Sequence, residues 1–316
     1  MKPLVTIGIC VRNCEATINE AIESVRNQDF PHDLMEVIFV DDGSEDNTLS
    51  IIYDYISKID MQATVFHIKW SGLGWARNVV ARNAHGKYII WVDGDMILSK
   101  DFVTKQVTFM EKNPTIGVAK GKYAMILESN LVADLETIYF VINDLKIYKK
   151  CKSLSIGYSG TGGSIYRLAA LKQAGLFDPC FKGAGEDMDV EFRIKSKGWL
   201  LLKTDATFFE KRRKTWRDLW KEYFWQGFGA CQFFYKYKNE LSNAYLGLKG
   251  KIFSPIFMFT QIIDSVVAYR LARKKWVFLM PFHYVFKRVA WFFGYIEFYF
   301  SIKAHENKHN QRNSMH

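Results

Sequence analysis

The first third of the chain alternates short apolar runs with segments whose apolar residues recur every three or four positions. The runs have the length and content of strands buried on both faces, and the segments between them have the spacing of amphipathic helices. Four runs predict strands: residues 5–11, 37–40, 63–68 and 88–92. Strand–helix alternation of this kind predicts an α/β fold built on a parallel, doubly wound sheet.

Acidic residues follow two of the predicted strands directly. Asp41 and Asp42 end the second run, and Asp93-Gly94-Asp95 ends the fourth. Because ligands of such sheets bind beyond the carboxyl ends of the strands, both clusters should line one crevice. Paired carboxylates suit a hard divalent cation that shares its ligand sphere with phosphate. The alternative is a solvated turn, since Asp and Gly are common turn residues.

The turn after the first strand does not have the glycines of a dinucleotide-binding fold. No GxGxxG follows it; the sequence there is Arg12-Asn13-Cys14-Glu15. A dinucleotide-binding fold of the usual kind is therefore not expected.

A second group of candidate residues lies in the middle of the chain. Gly157 to Arg167 is rich in small residues, which let backbone approach a ligand closely or form a tight turn. Further on, Glu186, Asp187 and Asp189 stand where a helix is predicted to begin. Acids favour helix N-termini through the helix dipole, but that explains only one or two of the three. The glycine-rich approach to the cluster favours a site.

Charge and cysteine content restrict the partners and the compartment. The chain of 316 residues carries a formal charge of +10, which implies an acidic partner. Its basic residues cluster beside apolar segments near the C-terminal end, which favours a membrane surface over nucleic acid. Five cysteines without a CxxC pair indicate reduced thiols and a cytoplasmic compartment, with Cys10 and Cys14 as small core residues.

The last hundred residues are rich in aromatic and basic side chains. Two apolar segments, residues 252–272 and 276–302, approach the roughly 20 residues that a spanning helix needs, but charged residues interrupt both. The basic connector at residues 270–275 favours the cytoplasmic face and anionic lipid. We expect helices lying in the membrane interface, and two membrane crossings remain the alternative.

Five short motifs follow one another along the first two-thirds of the chain: DDGS at 41–44, GLGWARN at 72–78, DGD at 93–95, GTGGSIYR at 160–167 and GAGEDMD at 183–189. Their content and order resemble glycosyltransferase family 2, and the ordered set is more specific than any one motif. The resemblance implies a GT-A fold, a nucleotide-sugar donor, Mn²⁺ or Mg²⁺, and inversion at the anomeric carbon.

The resemblance also implies roles for single residues. Asp42 resembles the acid that accepts the ring N–H of the nucleotide base, Asp93 the residue that holds the ribose or the metal, and Asp95 the direct metal ligand. Asp187 resembles the general base that deprotonates an acceptor hydroxyl, and Glu186 would support it or contact the acceptor. Further donor-binding candidates are Asp41, Arg77, Val11, Asn13 and Glu15.

Further candidates complete this set. Glu210 stands where the family often has a metal-binding His, although a solvated residue in a charge run explains it as well. Gly162, Gly163, Arg212 and Arg213 are candidates for contacts with the acceptor or the diphosphate.

The predicted organisation is a GT-A catalytic domain at residues 1–215 and an aromatic-rich, basic, helical membrane-association region at 216–316. Residues 1–98 would form the nucleotide-sugar-binding half and 99–215 the acceptor-binding half. The predicted function is transfer of a sugar from a UDP- or GDP-sugar to a hydroxyl of a lipid-linked or envelope glycan, at the cytoplasmic side of the cell membrane. Transfer to a polyprenyl phosphate and an inactive nucleotide-sugar-binding or scaffold subunit are the alternatives.

Overall fold

A computed structural model describes residues 2–150, 160–181, 183–241 and 255–313. The chain divides into two units. The first comprises residues 1–126, 143–180 and 186–211, and the second comprises residues 127–142, 181–185 and 212–316. Residues 157–159 of the glycine-rich segment and residues 252–254 of the first apolar segment lie outside the described residues.

The first unit contains one eight-stranded sheet among its described residues, in the order β3-β2-β1-β4-β7-β6-β8-β5. The strands are β1 (Val5–Val11), β2 (Met35–Asp42), β3 (Gln62–Ile68), β4 (Tyr88–Asp93), β5 (Met96–Leu98), β6 (Ile116–Tyr123), β7 (Ser164–Arg167) and β8 (Leu200–Glu210). The first four strands pair in parallel, as the alternation predicts. β7 is antiparallel to β4 and β6, β5 is antiparallel to β8, and β6 is parallel to β8.

Helices cover both faces of this sheet. They are α1 (Ile18–Arg26), α2 (Thr48–Ile56), α3 (Leu73–Asn83), α4 (Phe102–Lys112), α6 (Leu168–Gln173) and α7 (Glu186–Ser196), with α5 (Leu131–Lys150) shared between the two units. Neighbouring strand residues enter different cores: Ile90 packs with α1 and α4, whereas Trp91 packs with α3 and α6. Burial on both faces explains why these strands read as continuous apolar runs.

One glycine inside β1 permits close packing of a helix on the sheet. A Cβ on Gly8 would lie 2.8 Å from side-chain carbons of both Trp91 and Val80. Real Cβ contacts are essentially never that short, so the absence of a side chain at this strand position allows α3 to approach.

The second unit is helical throughout its described secondary structure. Besides the first part of α5 it contains α8 (Trp216–Lys236), α9 (Pro255–Ala272) and α10 (Met280–Asn313), with a 3-10 turn at Lys275–Leu279. Aromatic residues of α8 and α10 pack edge to face, for example Trp216 on Phe286. Within the described ranges, none of the helices combines the length and the apolarity needed to cross a membrane.

A polar cluster is sealed inside this helical unit. Glu136 of α5 lies 2.6 Å from Lys287 Nζ and 2.8 Å from His283 Nε2, both on α10. The hydroxyl of Tyr223 on α8 donates to the other oxygen of Glu136 at 2.5 Å. Lys287 Nζ also lies 3.4 Å from the ring centroid of Tyr139. The cluster joins three helices through one carboxylate.

Candidate active site

The strand order brings the two acidic clusters to one edge of the sheet. β1 lies between β2 and β4, with Val11 opposite Asp41 on one side and Cys10 opposite Asp93 on the other. Cys10 is buried, and burial raises the pKa of its thiol to about 12, so it stays protonated. The two acidic clusters therefore end neighbouring strands on either side of β1, and the neutral Cys10 lies between them.

The carboxylates of the first cluster are already engaged by the protein. Asp41 is fully buried; it accepts a hydrogen bond from the hydroxyl of Ser44 and lies 2.6 Å from His67 Nδ1. Asp42 accepts the backbone N–H groups of Ser71 at 2.7 Å and Gly72 at 2.9 Å. A carboxylate has about four lone-pair sites, so Asp42 retains the capacity to accept a base N–H as well.

The predicted donor residues after β1 form an interlocked turn. Asn13 has a positive φ of 52°; its N–H donates to Ser44 Oγ, and its side-chain oxygen accepts from the N–H of Glu45. Glu15 accepts both the backbone and the side-chain N–H of Asn47, each at 3.0 Å. Val11 is buried as the last residue of β1. These residues hold the DDGS turn in place beside the crevice.

Arg77 connects Asp93 of the second acidic cluster with Glu186, which belongs to the group of acids at the start of α7. Arg77 on α3 is buried; its Nη1 lies 2.5 Å from Glu186 Oε1 and its Nη2 lies 3.8 Å from Asp93 Oδ1. Glu186 is buried at the first position of α7, whereas Asp187 is partly exposed and accepts the N–H of Met188 at 2.7 Å. Asp189 instead pairs with Arg193 one turn later in the same helix.

The charges of this cluster do not balance. Burial lowers the pKa of Arg77, but Glu186, Asp93 and Asp187 outweigh that effect and raise it, so the guanidinium stays charged. Burial and the neighbouring Asp187 raise the pKa of Glu186, although Arg77 opposes them. Glu186, Asp93 and Asp187 all act on Arg77, so the carboxylates around this arginine outnumber its charge, and an excess of carboxylates is the electrostatic environment that a metal ion favours.

The glycine-rich segment lies against both ends of the cluster. A Cβ on Gly162 would come within 2.4 Å of Asp93 Oδ2, and a Cβ on Gly160 would lie 3.2 Å from Asp187 Oδ2. Gly163, with a φ of +66°, lies against the ring of Phe208. Glycine positions of one segment therefore lie against the carboxylate at the end of β4 and against a carboxylate at the start of α7.

A buried lysine that sequence reasoning missed supports this segment. Lys120 in β6 donates to the carbonyl oxygen of Gly162, and its ammonium is attracted by Glu210 and Asp93. Burial nevertheless lowers its pKa. The available signal was a lysine between Ala119 and Gly121 in a strand of small and apolar residues, where a buried cation needs a carboxylate partner.

The backbone brings Glu210 next to the second cluster. Glu210 pairs with Met96 across β8 and β5, and the following N–H, of Lys211, donates to the carbonyl oxygen of Asp95 at 2.9 Å. Across the part of the chain that the structure describes, no group of three or more His, Cys, Asp or Glu side chains is arranged to hold a metal ion. The role of Asp93, Asp95 and Glu210 as metal ligands therefore stays a prediction.

The two predicted arginines after β8 belong to the second unit. The guanidinium of Arg212 lies 4.1 Å from the ring centroid of Phe140, and the backbone N–H of Arg212 donates to Glu128 Oε1 at 3.1 Å. Arg213 Nε lies 3.0 Å from Glu222. Both therefore have local partners, and their role toward a diphosphate stays a prediction.

Carboxylates at the carboxyl ends of parallel strands, beside a glycine-rich segment, stand where α/β sheets of this kind bind their ligands. The family model Glycosyl transferase family 2 matches residues 6–175, which is more than half of the chain. The chain belongs to this family.

Two curated relatives illustrate the similarity. A poly-β-1,6-N-acetyl-D-glucosamine synthase of Staphylococcus epidermidis is 23% identical over 228 residues, which are 66% of this chain and 54% of the relative. The poly(ribitol-phosphate) β-N-acetylglucosaminyltransferase TarS of Staphylococcus aureus is 33% identical over 101 residues, 32% of this chain and 18% of TarS. The chain spans about half the length of the first of these relatives.

A solved structure shares the fold. The mannosyltransferase PcManGT of Pyrobaculum calidifontis, determined with GDP-Man and Mn²⁺, superimposes with a TM-score of 0.65 at 19% identity. The alignment covers 92% of this chain and 87% of that one. The predicted GT-A fold is confirmed.

Proposed function

We propose that this chain is a metal-dependent, inverting glycosyltransferase that moves a sugar from a UDP- or GDP-sugar to a hydroxyl of a lipid-linked or envelope glycan. The observation that carries the proposal is the contact chain from Asp93 through Arg77 to Glu186, flanked by Asp187 and by backbone at Gly160 and Gly162. It links the nucleotide side of the crevice to a partly exposed carboxylate.

A divalent cation fits the residues present at this edge. Asp93 is about one-third exposed and Asp95 is partly exposed, and both are oxygen donors of the kind that Mg²⁺ and Mn²⁺ accept. A backbone cradle at Gly162, which a single Cβ would fill, adjoins Asp93. When bound, the ion would neutralise charge on the diphosphate leaving group. PcManGT, with the same fold, was solved with Mn²⁺.

The protein's own groups supply the remaining steps. Asp42 would orient the base, and Arg77, held between Glu186 and Asp93, would keep the carboxylates of the site apart. Asp187 would take the proton of the acceptor hydroxyl as the glycosidic bond forms, because a hydroxyl attacks poorly while it keeps its proton. A phosphate acceptor would not need this base, so the proposal favours a hydroxyl over a polyprenyl phosphate.

The proposed acceptor and location rest on the relatives and on the surface of the second unit. The two relatives are named for poly-β-1,6-N-acetyl-D-glucosamine and for poly(ribitol-phosphate), polymers that offer hydroxyl groups. Large apolar side chains of α9 and α10 are exposed, including Ile263 at 64% and Phe300 at 63%. Such a surface beside basic residues is suited to the cytoplasmic side of a membrane, with the helices lying in the interface.

The test measures donor binding and turnover separately. Nucleotide sugars are screened by thermal shift with Mn²⁺, with Mg²⁺ and after chelation, since a ligand that binds the folded state raises the melting temperature. Donor hydrolysis and transfer to hydroxyl or polyprenyl phosphate acceptors are then measured. We expect a UDP- or GDP-sugar to stabilise the protein only with metal, and turnover to require both.

Matched variants assign the residues. Asp95→Asn should abolish the metal-dependent shift, and Asp187→Asn should keep the shift but lose transfer. Asp54→Asn, on the exposed surface of α2, is the control for one lost carboxylate. Transfer to a polyprenyl phosphate that survives Asp187→Asn would establish the rival acceptor. Donor binding without turnover of any donor would favour a scaffold subunit.

A further inference from the structure

A cavity of about 170 Å³ lies between α8 and α10 in the second unit. Its inner wall is built from Cys231, Phe234, Phe298 and Ile302. Burial raises the pKa of the Cys231 thiol to about 11, so this wall stays uncharged. Because this wall is apolar, the space suits part of a hydrocarbon chain.

Two tyrosine–lysine pairs complete the lining, one from each side. The ammonium of Lys238 lies 4.9 Å from the ring centroid of Tyr235, which α8 carries, and that of Lys303 lies 4.8 Å from the ring centroid of Tyr299 on α10. Both lysines are exposed. None of the eight described residues that line the cavity carries a carboxylate. The lining is therefore apolar with two cations, which is complementary to an anionic amphiphile.

We propose that this cavity binds an anionic membrane phospholipid, with the start of an acyl chain among the aromatic rings and the phosphate between Lys238 and Lys303. The occupant is a bilayer lipid rather than free phosphate, because the lining offers more apolar surface than a free phosphate would contact. Phe293 and Phe300 of α10 are also 53% and 63% exposed, which is typical of a surface that meets acyl chains. The inference deepens the membrane part of the proposed function and does not involve the donor site.

The experiment uses the full chain and vesicles of phosphatidylcholine, with or without about 30% phosphatidylglycerol. We expect binding to the anionic vesicles, weakened roughly tenfold or more by Lys238→Gln combined with Lys303→Gln, because each lysine near an anionic surface contributes measurably to binding. Donor turnover in detergent, measured in parallel, should be unchanged. Absence of turnover by the wild type would count against the proposed function. Absence of lipid binding by a wild type that turns over its donor would count against this inference.

Two double variants serve as controls. Lys58→Gln with Lys112→Gln removes two exposed lysines of the first unit, and Lys58 also stacks on a tyrosine, Tyr55. Lys274→Gln with Lys275→Gln removes two charges of the basic connector. Both should lose less affinity than the cavity variant. An equal loss in the connector variant would mean diffuse attraction to the membrane and would overturn the site.

A soluble probe separates the cavity from the lysines. Dodecyl phosphate should bind saturably by calorimetry and inorganic phosphate should not. Ile302→Trp keeps both lysines but fills the cavity, and should weaken dodecyl phosphate at least tenfold while the thermal unfolding curve shows a folded protein. Unchanged dodecyl phosphate binding in that variant, or no preference of wild type for anionic vesicles, would refute the proposal.

Discussion

Two buried glutamates of this chain have opposite surroundings. In the helical unit, Glu136 has Lys287, His283 and Tyr223 around it, so one carboxylate is met by several donors. In the sheet unit, Glu186 shares its cation, Arg77, with Asp93 and Asp187. Burial raises the pKa of both. Lys287 and His283 outweigh it at Glu136, whose pKa falls below its usual range, whereas Asp187 adds to it at Glu186.

The difference separates a structural cluster from the proposed catalytic one. A carboxylate with all its donors in place joins helices and needs nothing further. A cluster with more carboxylates than cations is incomplete until a positive ligand or a proton arrives, and such imbalance is common at active sites. Burial of a charged residue alone would not have distinguished the two.

The largest effect is expected at the incomplete cluster. Asp187→Asn should lower kcat by roughly 10²- to 10⁴-fold, the usual contribution of a general base, while leaving the melting temperature nearly unchanged. Steady-state kinetics, with the donor and acceptor that the proposed screen identifies, measure this fall in kcat. If the variant unfolded instead, Asp187 would belong with Glu136 as a structural residue, and the comparison would fail.

The matching change at the sealed cluster should affect stability. Glu136→Gln leaves the buried ammonium of Lys287 without a counter-charge, which should cost about 3 kcal/mol in the free energy of unfolding. Chemical denaturation measures this, with activity per folded molecule retained. Adding Lys287→Met should recover much of the loss. No recovery in the double variant would show that the ion pair is not the source.

Acid should act on the two glutamates in opposite directions. Glu136 has a folded pKa below 4.5, so its contribution to stability is full above about pH 4.5 and is lost as the pH falls through the folded value. Glu186 has a raised folded pKa, so its charged form costs stability that acid relieves. Below pH 4.5, Glu136→Gln should therefore flatten the fall of stability by up to about 1.4 kcal/mol per pH unit. Denaturation curves of wild type and variant at several acidic pH values test this, and equal slopes would contradict it.

The smallest expected effect is a shift in one titration. Because Asp187 helps to raise the pKa of Glu186, Asp187→Asn should lower the pKa of Glu186. Carboxyl-carbon NMR on labelled protein follows it, with Asp54→Asn as the control. An unchanged pKa of Glu186 would mean that Asp187 does not contribute to raising it.

Most of the first half of the fold could be predicted because its signals are local. The runs at β1, β2 and β4 are continuous because both faces of the sheet are covered. The parallel arrangement then places the carboxylates that end β2 and β4 at the same edge of the sheet. The antiparallel pairing of β7 with β4 and β6 is different, since it joins residues far apart in sequence without a local pattern. Periodicity could not have predicted it.

At the site, residue types could be predicted but their partners could not. The motifs pointed to Asp42 and Glu186, yet not to the N–H groups of Ser71 and Gly72 or to Arg77 as their respective partners. Lys287 was visible in the sequence only as an interruption of an apolar segment. Its partner, Glu136, lies 151 residues earlier, and only the folded structure brings them together.

The short approach of Gly162 to Asp93 has a consequence for libraries of variants. Any other residue at position 162 brings a Cβ to within 2.4 Å of Asp93 Oδ2 and 2.9 Å of the terminal methyl of Met96, so every codon change away from glycine displaces one of these groups. Alanine at this position moves the carboxylate without removing its charge. A genetic screen can thus distinguish the requirement for the position of the Asp93 carboxylate from the requirement for its charge.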